Sequence, residues 1–99
     1  MSFQVRYTKD ARDDVERLFD FLLGVDLAIA ERAIEAIEKA MLILQDFPFT
    51  CRKAQADNAF IRELIIPFGK RGYVALFEIE DKQTVTILAV RHQREDDYI

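Results

Sequence analysis

Residues 73–90, YVALFEIEDKQTVTILAV, decide the fold of this 99-residue chain. Residues 73–79 are apolar at positions that face both sides of a strand, which is typical of a central strand. A short polar break at residues 81–83 leads to a second apolar, β-branched run at residues 84–90. Two such runs joined by a short polar break predict a β-hairpin.

Two more strands are predicted outside this hairpin. Residues 60–66, FIRELII, form a strand, and Pro-Phe-Gly at residues 67–69 marks the turn that follows it. Near the start of the chain, residues 3–8 alternate between apolar and polar, which is the period of a half-buried strand. Residues 48–59 are polar and irregular, and we expect a loop there.

Two helices are predicted between the first and second strands. An apolar stripe from Ala11 to Leu22 follows two candidate N-caps, Thr8 and Asp10, and Gly24 marks the end of the helix. The second stripe runs from Ala30 to Leu44, after an expected cap at Asp26. Leu42 and Ile43 widen this stripe, so we expect the second helix to be covered from two sides.

The predicted element order is therefore β-α-α-β-β-β, an α+β fold. A helical hairpin packs on one face of a small, mostly antiparallel, four-stranded sheet. The chain has 99 residues, of which 51% are hydrophobic, which is enough for one hydrophobic core. We therefore expect one domain that spans residues 1–99.

Composition excludes several classes of protein. The single cysteine, Cys51, and the single histidine, His92, leave no disulfide framework and no Cys/His metal cluster, so we expect no metal and no cofactor. The chain shows neither a signal peptide nor a membrane span, which favours a cytoplasmic protein.

The net charge of −4 is unevenly distributed. Residues 10–46 hold four basic residues against ten acidic ones, a balance of −6, and the remainder has a balance of +2. This asymmetry suggests which half would face an anionic partner, although mixed charge is also typical of an ordinary solvated surface.

Most catalytic motifs are missing. The three glycines are too few and too far apart for a phosphate-binding loop, and Cys51 and His92 form a nucleophile pair only if the fold brings them together. One group of polar residues, located at the ends of the predicted strands, remains as a candidate catalytic site. It consists of Arg62, Lys70, Arg71, Arg91, His92 and Tyr98. If these groups converge, they could stabilise a phosphorane and move protons; otherwise they are ordinary surface and edge residues.

Aromatic residues are also more numerous around the loop and turns than a small core requires. Phe47, Phe49, Phe60, Phe68 and Tyr73 form this set. They either cover the open end of the core or form a groove for a helix or strand of a partner protein, and the sequence leaves both alternatives open.

The chain resembles the RelE/ParE superfamily of toxins from type II toxin–antitoxin pairs, and looks closest to the ParE, or plasmid-stabilisation, branch. The resemblance spans nearly the whole chain. It rests on residues 5–14 (VRYTKDARDD), 43–48 (ILQDFP), 60–64 (FIREL), 73–81 (YVALFEIED) and 87–94 (ILAVRHQR).

The resemblance implies a toxin that a co-expressed antitoxin neutralises, with a dimer or a heterotetramer with the antitoxin among the assemblies to expect. Members of the RelE branch cut mRNA on the ribosome, whereas members of the ParE branch inhibit DNA gyrase and lack that catalytic set. By position, the RNase candidates here would be Arg62, Arg71, Arg91, His92 and Tyr98.

Two departures favour the ParE-like hypothesis. The chain is acidic, whereas ribosome-directed members are strongly basic, and the loop before the second strand carries only Arg52 and Lys53. We therefore expect a gyrase inhibitor that acts by protein–protein binding, with no catalytic residues. The alternatives are a ribosome-dependent mRNA endonuclease and a non-toxic module that only binds the antitoxin. The expected partner-binding residues are Phe60, Arg62, Tyr73, Arg91, His92 and Arg94.

Overall fold

The computed structural model describes residues 2–93 of the chain. A first strand, β1 (Gln4–Tyr7), precedes two helices, α1 (Lys9–Leu23) and α2 (Leu27–Asp46). After a 3-10 turn at Pro48–Thr50, the remaining strands are β2 (Arg52–Gln55), β3 (Asn58–Phe68), β4 (Arg71–Ile79) and β5 (Thr84–His92).

The strands form one sheet in the order β1-β5-β4-β3-β2. β1 runs parallel to β5, and the other neighbours are antiparallel. The α+β class and the helical hairpin are confirmed.

The sheet has five strands rather than the predicted four, because β2 occupies part of the segment expected to be a loop. β2 is polar, and its pairing partners lie on β3: Arg52 is opposite Glu63, and Lys53 is opposite Arg62. A polar edge strand has no apolar alternation, so its pairing partner determines it more than its own sequence does. β3 also extends through Pro67 and Phe68, so the turn begins at Gly69.

Both helices begin at the predicted caps. The Thr8 hydroxyl accepts a hydrogen bond from the Ala11 amide at 3.0 Å. The Asp26 carboxylate accepts from the amides of Ala28 and Ile29, at 2.7 and 3.2 Å. Each cap satisfies amides that have no partner within the first helical turn. The short link between the helices folds α2 back along α1.

The helices cover one face of the sheet, here called the closed face. Along β4, the residues Tyr73, Ala75, Phe77 and Ile79 point to this face, and each is at most 3% exposed. They pack with the buried stripes of α1 and α2 in one core. Because side chains alternate along a strand, the residues between them point to the opposite side.

That opposite side, the open face, is defined by the strand register. It carries Arg6, Arg52, Ile61, Glu63, Ile65, Val74, Leu76, Glu78, Thr86, Ala89 and Arg91.

The expectation that α2 is covered from two sides is wrong at its end. Leu42 is 57% exposed and Ile43 is 46% exposed. α2 has 20 residues and α1 has 15, so the last turns of α2 extend beyond the start of α1.

Candidate functional site

A groove of about 590 Å³ opens between the second half of α1 and the end of the β3–β4 hairpin. Its lining is mainly apolar and aromatic, with one arginine and one histidine. The lining residues are Arg17, Leu18, Phe21, Leu22, Phe68, Tyr73 and His92. Its volume and composition fall in the range of sites that bind ligands or partner side chains. We call it the α1 groove.

The floor of the α1 groove is an aromatic stack. Tyr73 is 3% exposed and stacks on Phe68, with ring centroids 5.9 Å apart. The His92 ring meets Tyr73 edge-on at 5.6 Å. Burial raises the pKa of the Tyr73 phenol above its ordinary value. Tyr73 and His92, both predicted partner-binding residues, therefore lie in one site.

The α1 side of the groove was not predicted as a binding surface. Phe21 is 73% exposed, and the neighbouring Leu23, Val25 and Leu27 are also exposed at the turn between the helices. The available signal was the density of apolar residues around Gly24, which exceeds what one helical stripe can bury.

The Arg62 side chain is hydrogen-bonded to backbone carbonyls of the neighbouring segments. Its Nε donates to the Ala59 carbonyl at 2.7 Å. One terminal nitrogen donates to the carbonyls of Phe49 and Cys51, at 3.1 and 2.8 Å. The guanidinium carbon lies 5.4 Å from the centroid of the Phe49 ring. Arg62 thus fixes the 3-10 turn and the start of β2 to β3.

Phe60, another predicted partner-binding residue, is exposed at the same end of the sheet. Its ring packs edge-on against Phe49 at 6.2 Å, and it is 53% exposed. Together with Phe3 and Ile79, these two rings line a shallow cavity of about 270 Å³. The pair is a second exposed apolar patch, at the opposite end of β3 and β4 from the α1 groove.

Arg91 is held by Asp14 of α1. The two side chains form an ion pair, and both are largely buried, with side chains 19% and 14% exposed. The same carboxylate accepts a hydrogen bond from the Val90 amide at 3.0 Å. β1 ends at Tyr7, so Asp14 takes the place of a strand neighbour at the edge of β5.

Among the described RNase candidates, Arg62 lies apart, whereas Arg71, Arg91 and His92 lie at the same end of β4 and β5. Arg62 is opposite Phe77 and so belongs to the closed face, whereas Arg91 is opposite Val74 on the open face. Phe77 and Val74, the β4 residues opposite these two arginines, are three residues apart along the strand, or about 10 Å. Arg71 lies at the turn of the β3–β4 hairpin. Tyr98, and Arg94 from the partner-binding set, lie outside the described residues.

Cys51 and His92 do not form a pair. Cys51 precedes β2 and His92 ends β5, and these strands are separated by three strand spacings, about 14 Å. Burial also raises the pKa of the Cys51 thiol, which reduces the thiolate fraction at neutral pH.

The arginines of the open face are paired with carboxylates. Arg6 meets Glu80 at 2.7 Å, Arg52 meets Glu63 at 3.0 Å, and Arg91 meets Asp14. Between them lie apolar residues rather than further cations. Within residues 2–93, this face has the composition of a protein-binding surface more than that of a phosphate-binding one.

The helical hairpin over a mostly antiparallel sheet, with exposed apolar patches and paired arginines, defines a small α+β domain. The chain belongs to the ParE toxin family of type II toxin–antitoxin systems. The family model, described as "ParE toxin of type II toxin-antitoxin system, parDE", matches residues 5–97.

A solved structure has a similar fold. It is described as "Chromosomal ParDE TA system from P. aeruginosa" and is 17% identical in sequence, with a TM-score of 0.73. The match covers 92% of this chain and 96% of that one. A search of curated proteins finds no match. None of the helices described in residues 2–93 is long and apolar enough to cross a membrane.

Proposed function

We propose that this ParE-family chain inhibits DNA gyrase by protein–protein binding and that a cognate antitoxin neutralises it. One observation carries the proposal. Two of the three arginines among the RNase candidates, Arg62 and Arg91, hold the fold together, while large apolar side chains remain exposed. Exposed apolar patches with polar borders are typical of protein-binding surfaces. The proposal places the protein in the cytoplasm, where gyrase acts.

The α1 groove is the proposed antitoxin site. An amphipathic helix binds an apolar groove through side chains about one turn apart, and Phe21, Leu18 and Phe68 offer such a surface. Arg17 and His92 also line the groove and place nitrogen donors beside its apolar surface.

The antitoxin site can be tested with Phe21→Glu. Because Phe21 is 73% exposed, the variant should fold normally, and it should bind the antitoxin at least about 30-fold more weakly, as expected for loss of a hot-spot aromatic side chain. Leu42→Glu is the matched control, since Leu42 is also exposed but lies at the far end of α2. Calorimetry should show near-normal affinity for the control. Normal affinity for Phe21→Glu would remove the groove from the proposal.

The target can be tested with purified gyrase and relaxed plasmid. The full chain should block supercoiling at near-stoichiometric ratios, and addition of the antitoxin should restore it. Phe21→Glu should still inhibit gyrase but resist the antitoxin. If gyrase stays fully active at a large excess of toxin, gyrase is not the target, and the antitoxin proposal is then judged by calorimetry alone.

A further inference from the structure

The carboxylate of Asp14 connects the two walls of the α1 groove. One wall is α1 itself, and the other contains His92 at the end of β5. We propose that Asp14 is a positioning residue, which holds the end of β5 against α1 and so fixes the width of the groove at which the antitoxin binds. This inference rests on the antitoxin site proposed above. It assigns Asp14 an effect on affinity without requiring that the antitoxin touch it.

α1 replaces β1 as the neighbour of β5 halfway along this strand. β1 pairs with β5 as far as Tyr7, which lies opposite Ile87. The Thr8 amide then donates to the Ile87 carbonyl at 3.0 Å, and the Thr8 hydroxyl donates to the Leu88 carbonyl at 3.4 Å. Beyond Leu88, the edge of β5 lies beside α1, so the backbone groups at this edge need partners from the helix or from water.

Asp14 supplies such a partner and contacts both walls. Its Oδ2 accepts a hydrogen bond from the Val90 amide at 3.0 Å and forms the ion pair with Arg91. Its Oδ1 lies 3.9 Å from Nη2 of Arg17, a residue of the α1 wall. The Asp14 and Arg91 side chains are both largely buried. Because charge-assisted hydrogen bonds are strong and are weakened little by solvent at such a site, one carboxylate links the helix firmly to the strand.

This link acts next to the residue that lines the groove. His92 directly follows the ion pair, and its ring meets Tyr73 edge-on at 5.6 Å. One residue further, the Gln93 amide donates to the Gly72 carbonyl at 2.9 Å. The end of β5 is therefore attached to α1 through Asp14 and to β4 through backbone pairing. Loss of the first attachment allows this wall of the groove to move away from α1.

The expected effect on affinity follows from the fraction of molecules in which the groove has the right width. The apparent dissociation constant rises as this fraction falls. If removal of the Asp14 carboxylate lowers the fraction to about one tenth, Asp14→Ala should bind the antitoxin about tenfold more weakly. Asp14→Asn keeps an oxygen that accepts from the Val90 amide but loses the ion pair, so it should bind about threefold more weakly.

Nuclear magnetic resonance of the folded chain measures the position of the strand end. His92 is the only histidine of the chain, so its ring signals are identified directly. They should shift in both Asp14 variants. Because both variants remove the same charge, a larger shift in Asp14→Ala than in Asp14→Asn reports movement of the strand rather than loss of the charge. Asp13→Ala is the matched control, since this neighbouring carboxylate is 56% exposed and pairs with Lys9. It should leave the signals and the affinity unchanged.

Calorimetry with the antitoxin completes the test. Normal affinity of a folded Asp14→Ala, even with lower stability in urea, would overturn the proposal, because Asp14 would then only stabilise the fold. Loss of affinity with equal His92 shifts in the two variants would also overturn it, since the antitoxin would then contact the Asp14 carboxylate itself. If Asp14→Ala does not fold, Asp14→Asn, which is close to the parent in shape, replaces it, and normal affinity of that variant would overturn the proposal.

Failure of the proposed function gives a different result. In that case the parent chain itself does not bind the antitoxin, and the role of Asp14 in binding falls with it. Failure of the present inference alone leaves a parent chain that binds normally and Asp14 variants that bind equally well or show equal His92 shifts.

Discussion

The two faces of the sheet use the same residue types for different purposes. On the closed face, Phe77 is fully buried under the helices, and Arg62 is bound to three backbone carbonyls. On the open face, Leu76 is partly exposed, and Arg52 forms an ion pair with Glu63. The comparison shows that residue type alone does not identify a functional residue. An arginine whose donors serve the backbone belongs to the fold, and an apolar residue without a covering helix is available to a partner.

The largest expected difference is between two adjacent residues of β4. Phe77→Ala should lower the free energy of unfolding by about 4 kcal/mol, because it leaves a cavity in the core. Leu76→Ala should lower it by about 1 kcal/mol, because Leu76 retains solvent contact. Urea unfolding followed by circular dichroism measures both. Equal losses would mean that the two faces are equally buried.

The next largest difference in the free energy of unfolding is expected between alanine substitutions at two glycines, Gly72 and Gly69, in the turn of the β3–β4 hairpin. Gly72 has a φ of +113°, and a Cβ there would collide with the Ile66 carbonyl and lie 2.7 Å from the Phe68 nitrogen. Gly72→Ala should therefore cost about 3 kcal/mol or more.

Gly69 is the matched control. It has a φ of +61°, but a Cβ added there would meet no heavy atom within 4 Å, so Gly69→Ala should cost only about 1 kcal/mol. If thermal unfolding ranks the two variants the other way round, the hairpin has a different backbone from the one described.

A smaller difference in the free energy of unfolding is expected between substitutions at Arg62, on the closed face, and Arg52, on the open face. Arg62→Met removes donors from the carbonyls of Ala59, Phe49 and Cys51, and should cost about 2–3 kcal/mol. Arg52→Met breaks one exposed ion pair and should cost about 0.5 kcal/mol or less. Chemical denaturation of both variants tests this. A costly Arg52→Met would show that the open face also contributes to stability.

The smallest effect concerns the Cys51 thiol, which packs toward the closed face. Burial raises its pKa, so the folded chain should be alkylated more slowly than the urea-unfolded chain at pH 8. A raised pKa in the folded state contributes stability below the unfolded pKa, and this contribution is lost as the pH rises through the folded pKa. Iodoacetamide rates measured against pH should therefore give a higher midpoint for the folded chain. A lower midpoint would mean that the nearby Arg62 charge outweighs burial.

Much of the fold could be predicted from local patterns. Thr8 and Asp26 cap their helices as expected, and residues 73–79 and 84–90 form neighbouring strands, because hydrogen bonding and apolar periodicity act over a few residues. The short strand β2 could not be predicted in this way, since its partner Glu63 lies on another segment of the chain.

The candidate site was less predictable for the same reason. Tyr73 and His92 were selected from sequence, but the α1 side of their groove was not. The roles of Arg62 and Arg91 depend on Cys51 and Asp14, which are distant in sequence and close only after folding. Sequence identifies the arginines, and the fold determines which of their donors remain available.

The central claim is that this chain acts by binding proteins, with Arg62 and Arg91 committed to structure. The most direct test is primer extension on a reporter mRNA in a translation extract that contains the purified chain. We expect the mRNA to remain full-length even when the chain is in large excess over ribosomes. Cleavage within translated codons, abolished by Arg71→Ala in a normally folded variant, would contradict the account.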